Sequence, residues 1–377
     1  MTSRPATASL SIPALAAALA APSASGATLD AGLTSTFQTT DDSDTHSEQL
    51  ISADLVVTQT LGPGELLLYL EGSSSPQRAG VSSGYPEANA DAGTALDRDG
   101  DGRFQVSELR YALPLTESGS LHAGLLDATV FLDASGPLKT TYPVYDYRGI
   151  ANDETTQFLG AEFVNNPLIE FPDYAPGVVY GWQDSASQSA FRLVLTGSNG
   201  LADNPDASYS SLLELDESGR GVFLASEVGR RSFGSGAVRL GLWLNSRDHQ
   251  TLDGEHDDAR NYGAYAVADG GLGRGGWNLR AGWANPDVSA GEYFLAAALE
   301  QPVGLGDVGL AGGVTLASDR LDAASEDRLH TEIYWRVPVT PAIHISPDLQ
   351  YIQHSDFRPG EDAFILGLRL TATLSSS

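Results

Sequence analysis

The 377-residue chain contains no cysteine, so no disulfide contributes to its stability. It has 21 basic residues, of which only Lys139 is a lysine, against 49 acidic ones, and its formal net charge is -28. A field of that sign repels nucleic acid and excludes DNA and RNA as partners. It fits either solubility in a salty medium or a pore mouth that favours cations. No run of about 18 apolar residues is present, which excludes a transmembrane helix. A β-barrel escapes that exclusion, because only alternate residues of each strand face lipid. Catalytic groupings are also missing. His122, His330 and His344 stand apart, no cysteine nucleophile exists, and the glycine-rich stretch at 271–276 lies between strand-like segments rather than opening a helix. Acidic pairs such as Asp257–Asp258 read as solvated loop residues, so an enzyme is not expected.

What the chain does have begins with an export-type N-terminus. Arg4 supplies positive charge, Ile12–Ala21 is apolar but too short to span a bilayer, and Ala24, Gly26 and Ala27 are small. We expect residues 1–27 to be a signal peptide and 28–377 to be the mature domain.

Beyond it, segments of about ten residues alternate apolar and polar side chains and end in Gly, Pro, Asp or Asn. In Ala237–Leu244, Val238, Leu240, Leu242 and Leu244 share one face, while Ala237, Arg239, Gly241 and Trp243 share the other. Trp277–Ala284, Glu332–Val337 and Phe364–Thr371 repeat the pattern. Connections alternate short and long: Gly62–Gly64 is short and 73–102 long, then Thr116–Gly119 is short and 127–174 very long. Outer-membrane barrels place short turns on the periplasmic side and long loops outside. The pattern predicts an all-β, antiparallel up-and-down transmembrane barrel of about sixteen strands, with both termini periplasmic. The predicted strands begin near residues 28, 51, 65, 103, 120, 175, 188, 221, 237, 261, 277, 292, 308, 329, 342 and 363. A soluble sandwich shows similar alternation, but it could not leave Arg192, Glu227, Arg239, Arg280, Glu332, Arg336 and Arg369 on the polar face of so many strands. Tyr69, Trp182, Tyr262, Trp277, Trp283 and Tyr351, near strand ends, read as girdle residues.

If apolar residues face lipid, Arg192, Glu227, Arg239, Arg280, Glu332, Tyr334, Arg336 and Arg369 line the interior. Guanidinium groups can donate to hydroxyls, and aromatic faces such as Tyr334 and Trp243 suit sugar rings.

Asp97-Arg-Asp99-Gly-Asp101-Gly102-Arg103-Phe104-Gln-Val-Ser-Glu108 carries the ligand pattern of an EF-hand loop. Asp97, Asp99 and Asp101 supply carboxylates, Arg103 its carbonyl, and Glu108 the last, bidentate position. We expect a calcium ion in a structural role, tying a long loop to the barrel rim. A strand rather than a helix follows the motif, so no sensor-type opening is expected.

The block Ala151-Asn-Asp-Glu-Thr-Thr-Gln-Phe-Leu-Gly160 with Phe163-Val-Asn-Asn-Pro167, preceded by Gly124-Leu-Leu-Asp127, resembles the carbohydrate-selective porin family of outer membranes. Ser346–Ile352 and Ala363–Leu370 extend the likeness. The resemblance implies a sixteen-stranded porin that passes sugars by diffusion, with the 127–174 loop folded inward to narrow the pore. Glu154, Phe158 and Asn165 are its implied constriction residues. Implied partners are small sugars as solutes, outer-membrane lipid and the barrel-assembly machinery, with the barrel a monomer or homotrimer. The C-terminus departs from many such barrels: it ends Leu374-Ser-Ser-Ser377, without a terminal aromatic. Two alternatives are a general cation-preferring porin and a calcium-dependent carbohydrate-binding β-protein that forms no pore.

Overall fold

The computed structural model of the protein describes residues 27–74, 79–93, 102, 104–134, 149–150, 153–201, 209–210, 212, 220–232 and 236–376. The expected signal segment, apart from Ala27, lies outside them.

Sixteen antiparallel strands close into one barrel, each paired with its sequence neighbour, and β1 with β16. They are β1 (Ala27–Thr40), β2 (Glu48–Leu61), β3 (Gly64–Ser73), β4 (Phe104–Pro114), β5 (Gly119–Leu126), β6 (Ala175–Asp184), β7 (Ser189–Gly197) and β8 (Val222–Ser232), followed by β9 (Gly236–His249), β10 (Ala259–Leu272), β11 (Gly275–Ala284), β12 (Gly291–Val303), β13 (Gly306–Ala317), β14 (Arg328–Thr340), β15 (Ile343–Gln353) and β16 (Ala363–Ser376). Every strand starts within 3 residues of its predicted position. Closure satisfies the backbone hydrogen bonds without a free sheet edge, which a bilayer requires.

The alternation sorts the side chains as predicted. On β9, Leu240 and Leu242 are 55% and 64% exposed, whereas Arg239, between the outward Val238 and Leu240, is 0% exposed. Exposed leucines, valines and phenylalanines recur on the outward face from β1 to β16, forming the apolar belt. Outward aromatic pairs stand near the long-loop end: Tyr262 against Trp283 with ring centroids 5.8 Å apart, and Tyr351 against Phe364 at 4.8 Å. Tyr69 corrects the girdle reading, because it faces inward and donates to Asp54 Oδ1 at 2.7 Å.

Small inward residues let large ones lie flat against the wall. Gly309 of β13 is opposite Tyr334 of β14, and a Cβ at Gly309 would sit 2.1 Å from that ring. The glycine therefore fixes where the tyrosine ring can lie.

The largest apolar cluster is inside the barrel. Leu126 at the end of β5 and Phe131, Leu132, Phe158, Phe163, Leu168 and Ile169 of the β5–β6 connection pack against inward residues of β6 to β14, including Val194, Phe223, Trp243, Phe294 and Tyr334. This connection carries a one-turn helix, Ala161–Val164. The β3–β4 connection also folds inward. It carries a one-turn helix, Val81–Gly84, and two 3-10 turns, Pro86–Ala88 and Ala90–Gly93. Its Val81, Tyr85 and Ala88 pack on Ile352, Ala363 and Ile365 of β15 and β16.

Candidate functional site: a two-loop constriction

Two inward loops occupy different arcs of the wall. The β5–β6 loop covers β6 to β14 and reaches on to Arg369 of β16, and the β3–β4 loop covers β15, β16, β1 and β2. They meet where the Ala90 N–H donates to the Leu159 carbonyl at 2.9 Å.

The sequence-derived lining residues do point inward, but most are sealed beneath the β5–β6 loop. Arg280 donates to the Phe163 carbonyl at 2.6 Å and the Asp133 carbonyl at 3.0 Å, and pairs with the Asp133 carboxylate at 3.3 Å. Glu332 accepts the Leu159 and Gly160 N–H groups at 2.7 and 2.8 Å. Glu227 accepts the Asp133 N–H and the Tyr265 hydroxyl, both at 2.9 Å. Arg369 donates to the carbonyls of Glu154 and Gln157. Arg336 donates to the Thr156 carbonyl at 3.4 Å and pairs with Asp307. Arg239 pairs with Asp269, and Tyr334 donates to Glu300 while its ring meets Phe158 edge-on at 4.9 Å. Arg192 lies opposite Glu227 in the β7–β8 ladder.

The physical reason is simple. A loop inside a barrel brings backbone N–H and C=O groups away from water, and each needs a partner. Long charged side chains on the wall supply those partners in both polarities. A strand's alternation reports which way a side chain points but not what it meets there.

Of the implied constriction residues, Phe158 is fully buried between Tyr334 and Phe163. Asn165 caps the one-turn helix with its backbone N–H, donated to Ala161 O at 3.0 Å. Its neighbour Asn166 holds the loop to the wall: its N–H reaches Asp133 Oδ2 at 2.8 Å and its side chain reaches the Ala281 carbonyl at 3.2 Å. Close approach also explains Gly160, where a Cβ would lie 2.5 Å from the His330 ring and 2.9 Å from Glu332.

The β3–β4 loop was missed as a constriction element. Its Ala88 carbonyl accepts from both Gln38 and Gln350, at 3.0 and 2.9 Å. Asn89 donates to Gln38 at 3.0 Å, and Ser52 donates to Asp91 at 2.7 Å. Length was the available signal, since this segment stood out as a long connection. Nothing in its pattern indicated that it turns inward.

Carboxylates collect where the two loops approach β2 and β3. Asp54 accepts from Tyr69, and Glu71 accepts from Gln105 at 3.1 Å and Ser107 at 2.7 Å. Asp91 comes from one loop, and Asp153 and Glu154 from the other. Asp54, Asp153 and Glu154 remain only partly buried. Burial, then the charges of Asp153 and Asp91, push the Glu154 carboxyl up to about 8. Burial pushes Asp91 up to about 6, against the lowering effect of the Ser52 hydrogen bond. The acids thus sense one another across both loops.

Of the expected calcium ligands, Asp97, Asp99, Asp101 and Arg103 lie outside the described residues. Glu108 sits within β4, 3.1 Å from Arg110 Nε, and accepts the Asp127 N–H at 3.3 Å. Among the described residues no group of three or more His, Asp, Glu or Cys is placed to hold a metal.

A closed sixteen-strand barrel with an outward apolar belt and inward-folded loops defines the porin class of outer-membrane channel. Comparison with known proteins agrees. Residues 115–374 match the model of the carbohydrate-selective porin, OprB family, and the chain belongs to that family. The structure is similar to a Pseudomonas putida OprB structure solved at high pH, with TM-score 0.66, 14% identity, and 93% and 94% of the two chains covered. It is also similar to Pseudomonas aeruginosa OccK1 (OpdK), with TM-score 0.52, 10% identity, and 93% and 99% covered. These likenesses concern the fold alone. An uncharacterised Aquifex aeolicus protein is 37% identical over 78 residues, a stretch spanning 21% of each chain. The closed barrel and the family together leave no place for the non-spanning sugar-binding alternative, and channels of this kind are not enzymes.

Proposed function

We propose that this porin passes carbohydrates and other small hydrophilic solutes by diffusion, with its long loops outside the cell and both termini in the periplasm. The observation that carries the reading is the pair of inward loops, which line neighbouring arcs of one closed wall and bring their acids together beside β2 and β3. Solutes there meet the half-buried Asp54, Asp153 and Glu154 beside Tyr69. Carboxylates accept hydrogen bonds from sugar hydroxyls, and a tyrosine offers its ring face and hydroxyl. The wall arginines act mainly by holding the loops, with Arg336, more exposed than Arg239, Arg280 or Arg369, the one nearest to a solute. The test is single-channel conductance in planar bilayers, titrated with mono- and oligosaccharides. Concentration-dependent block supports the reading. A barrel that conducts ions and ignores every sugar overturns it.

Acids from four elements, β2, β3 and the two inward loops, converge here, which favours a preference for cations over anions. The reversal potential in a salt gradient reads it directly.

Calcium at the 97–108 motif is the remaining part of the proposal. The three aspartates, the Arg103 carbonyl and the Glu108 carboxylate would hold the ion, with Glu108 also beside Arg110. Calorimetric titration should give one site that Asp99→Asn removes. No heat of binding at millimolar calcium would dismiss it.

A further inference from the structure

Arg328, the first residue of β14, was not among the residues singled out in the sequence, yet three loops converge on it. Its Nη1 donates to Glu87 Oε1 of the β3–β4 loop at 2.8 Å. Its Nε donates to Glu162 Oε1 of the β5–β6 loop at 2.9 Å, and Nη2 donates to the same oxygen. The guanidinium carbon lies 4.8 Å from the ring centre of Phe357, in the β15–β16 loop. That third loop also serves Glu87 directly, through the Ser355 hydroxyl at 2.9 Å and the Asp356 N–H at 3.1 Å. Thr315 of β13 donates to Glu162 at 3.0 Å, and His330 Nδ1 stands 3.4 Å from its other oxygen. Arg328, Glu87 and Glu162 are 8%, 6% and 1% exposed, so solvent cannot stand in for any partner.

The β15–β16 loop accepts an unfavourable backbone to make these contacts. His354, Asp356 and Phe357 have φ of 56°, 51° and 59°, the left-handed region that side chains other than glycine avoid. Such a run persists where the surroundings over-determine it. Here it aims one N–H at Glu87 and one ring at Arg328.

We propose that Arg328 is a positioning residue that couples the two inward loops, so that they dock on the barrel wall and release from it as one gate. Each loop contributes one buried carboxylate, and a single guanidinium fork serves both. Removing the fork takes away the one cation that the two buried acids share, so neither loop can stay docked at its former stability. The Ala90–Leu159 backbone bond ties the loops together at a second point. The proposal rests on the reading of these loops as the constriction, but it is tested without any sugar, so failure of one is distinguishable from failure of the other.

The experiment is hydrogen–deuterium exchange of the full-length barrel in detergent, comparing peptides over 79–93 and 153–170. In Arg328→Gln both segments should exchange faster together, by roughly a hundredfold to a few thousandfold, given the usual cost of breaking a buried ion pair. Single-channel current should change from steady to flickering, with Arg328→Lys restoring part of the quiet state. Heat-modifiable gel mobility reports whether the barrel itself has formed. If Arg328→Gln does not form it, Glu87→Gln and Glu162→Gln give the same readout, each expected to loosen both loops. Faster exchange confined to one loop, or unchanged exchange in both, overturns the proposal.

Discussion

Replacing Glu332 with alanine removes the acceptor for two consecutive backbone donors of the β5–β6 loop. The Leu159 and Gly160 N–H groups reach its carboxylate at 2.7 and 2.8 Å, in a site where Glu332 is 1% exposed. A buried donor left without a partner costs about 1–3 kcal/mol, so the pair sets a gross loss of about 2–6 kcal/mol. Part of this returns, because Glu332 stands against the Asp348 carboxyl of β15 and the variant relieves that crowding of acids. We expect a net loss of about 2–4 kcal/mol in loop docking, at the scale of one broken buried hydrogen-bond network. Glutamine keeps one oxygen and should lose about half as much on the same argument. The assay is amide exchange at Leu159 and Gly160, with conductance recorded on the same sample. Alanine should speed exchange at both amides by more than about tenfold, since 1.4 kcal/mol is one decade, and widen or destabilise the pore. Unchanged protection at both amides would refute the claim that wall carboxylates hold the loop backbone.

Glu154, raised to about 8, and Asp91, raised to about 6, make docking pH-dependent. A carboxyl raised in the folded state contributes fully below its ordinary value and loses that contribution as pH rises through the shifted one. Loop docking should therefore weaken and cation preference grow between pH 5 and 9, on the order set by these shifts, and Glu154→Gln should flatten the reversal-potential profile. Glu162 behaves oppositely: burial pushes it up, but the Arg328 charge and His330 outweigh this and hold it at about 2. Its contribution is full above its ordinary carboxyl range and is lost only as pH falls through about 2, so exchange at Phe163 and Val164 should stay slow at pH 4. Asp54→Asn should lower the cation-to-anion permeability ratio without disturbing heat-modifiable mobility. Gly309→Ala forces a Cβ into the Tyr334 ring and should destabilise the barrel by about 1–3 kcal/mol in a denaturant titration, the usual cost of overpacking.

The barrel was legible from end to end because its rule is local. Lipid outside and water or loop inside impose a period of two on every strand, so Leu240 and Arg239 declare their faces from neighbouring positions alone. Turn residues such as Gly273 and Gly304, with φ of 62° and 59°, mark the hairpins just as locally. The long β5–β6 loop was legible as a long connection, but its inward course was expected only through the resemblance to a family. What Arg280, Glu332 and Arg369 do could not be read the same way. Their partners are backbone groups of aperiodic loops, at separations of 117, 173 and 215 positions along the chain. The 97–108 motif shows the reverse case. Its spacing fits an ion-binding loop, but the strand that follows also sets Glu108 beside Arg110.

By itself, then, the sequence determined the barrel, its strands and the direction of most wall residues, Tyr69 being an exception, since those follow from short-range alternation and turn chemistry. Only the tertiary structure decided what fills the interior. It placed two loops on adjoining arcs, turned the expected solute contacts into loop anchors, and brought Glu87, Glu162 and Arg328 together. Those choices depend on burial of unpaired polar groups between distant segments, which no local periodicity encodes.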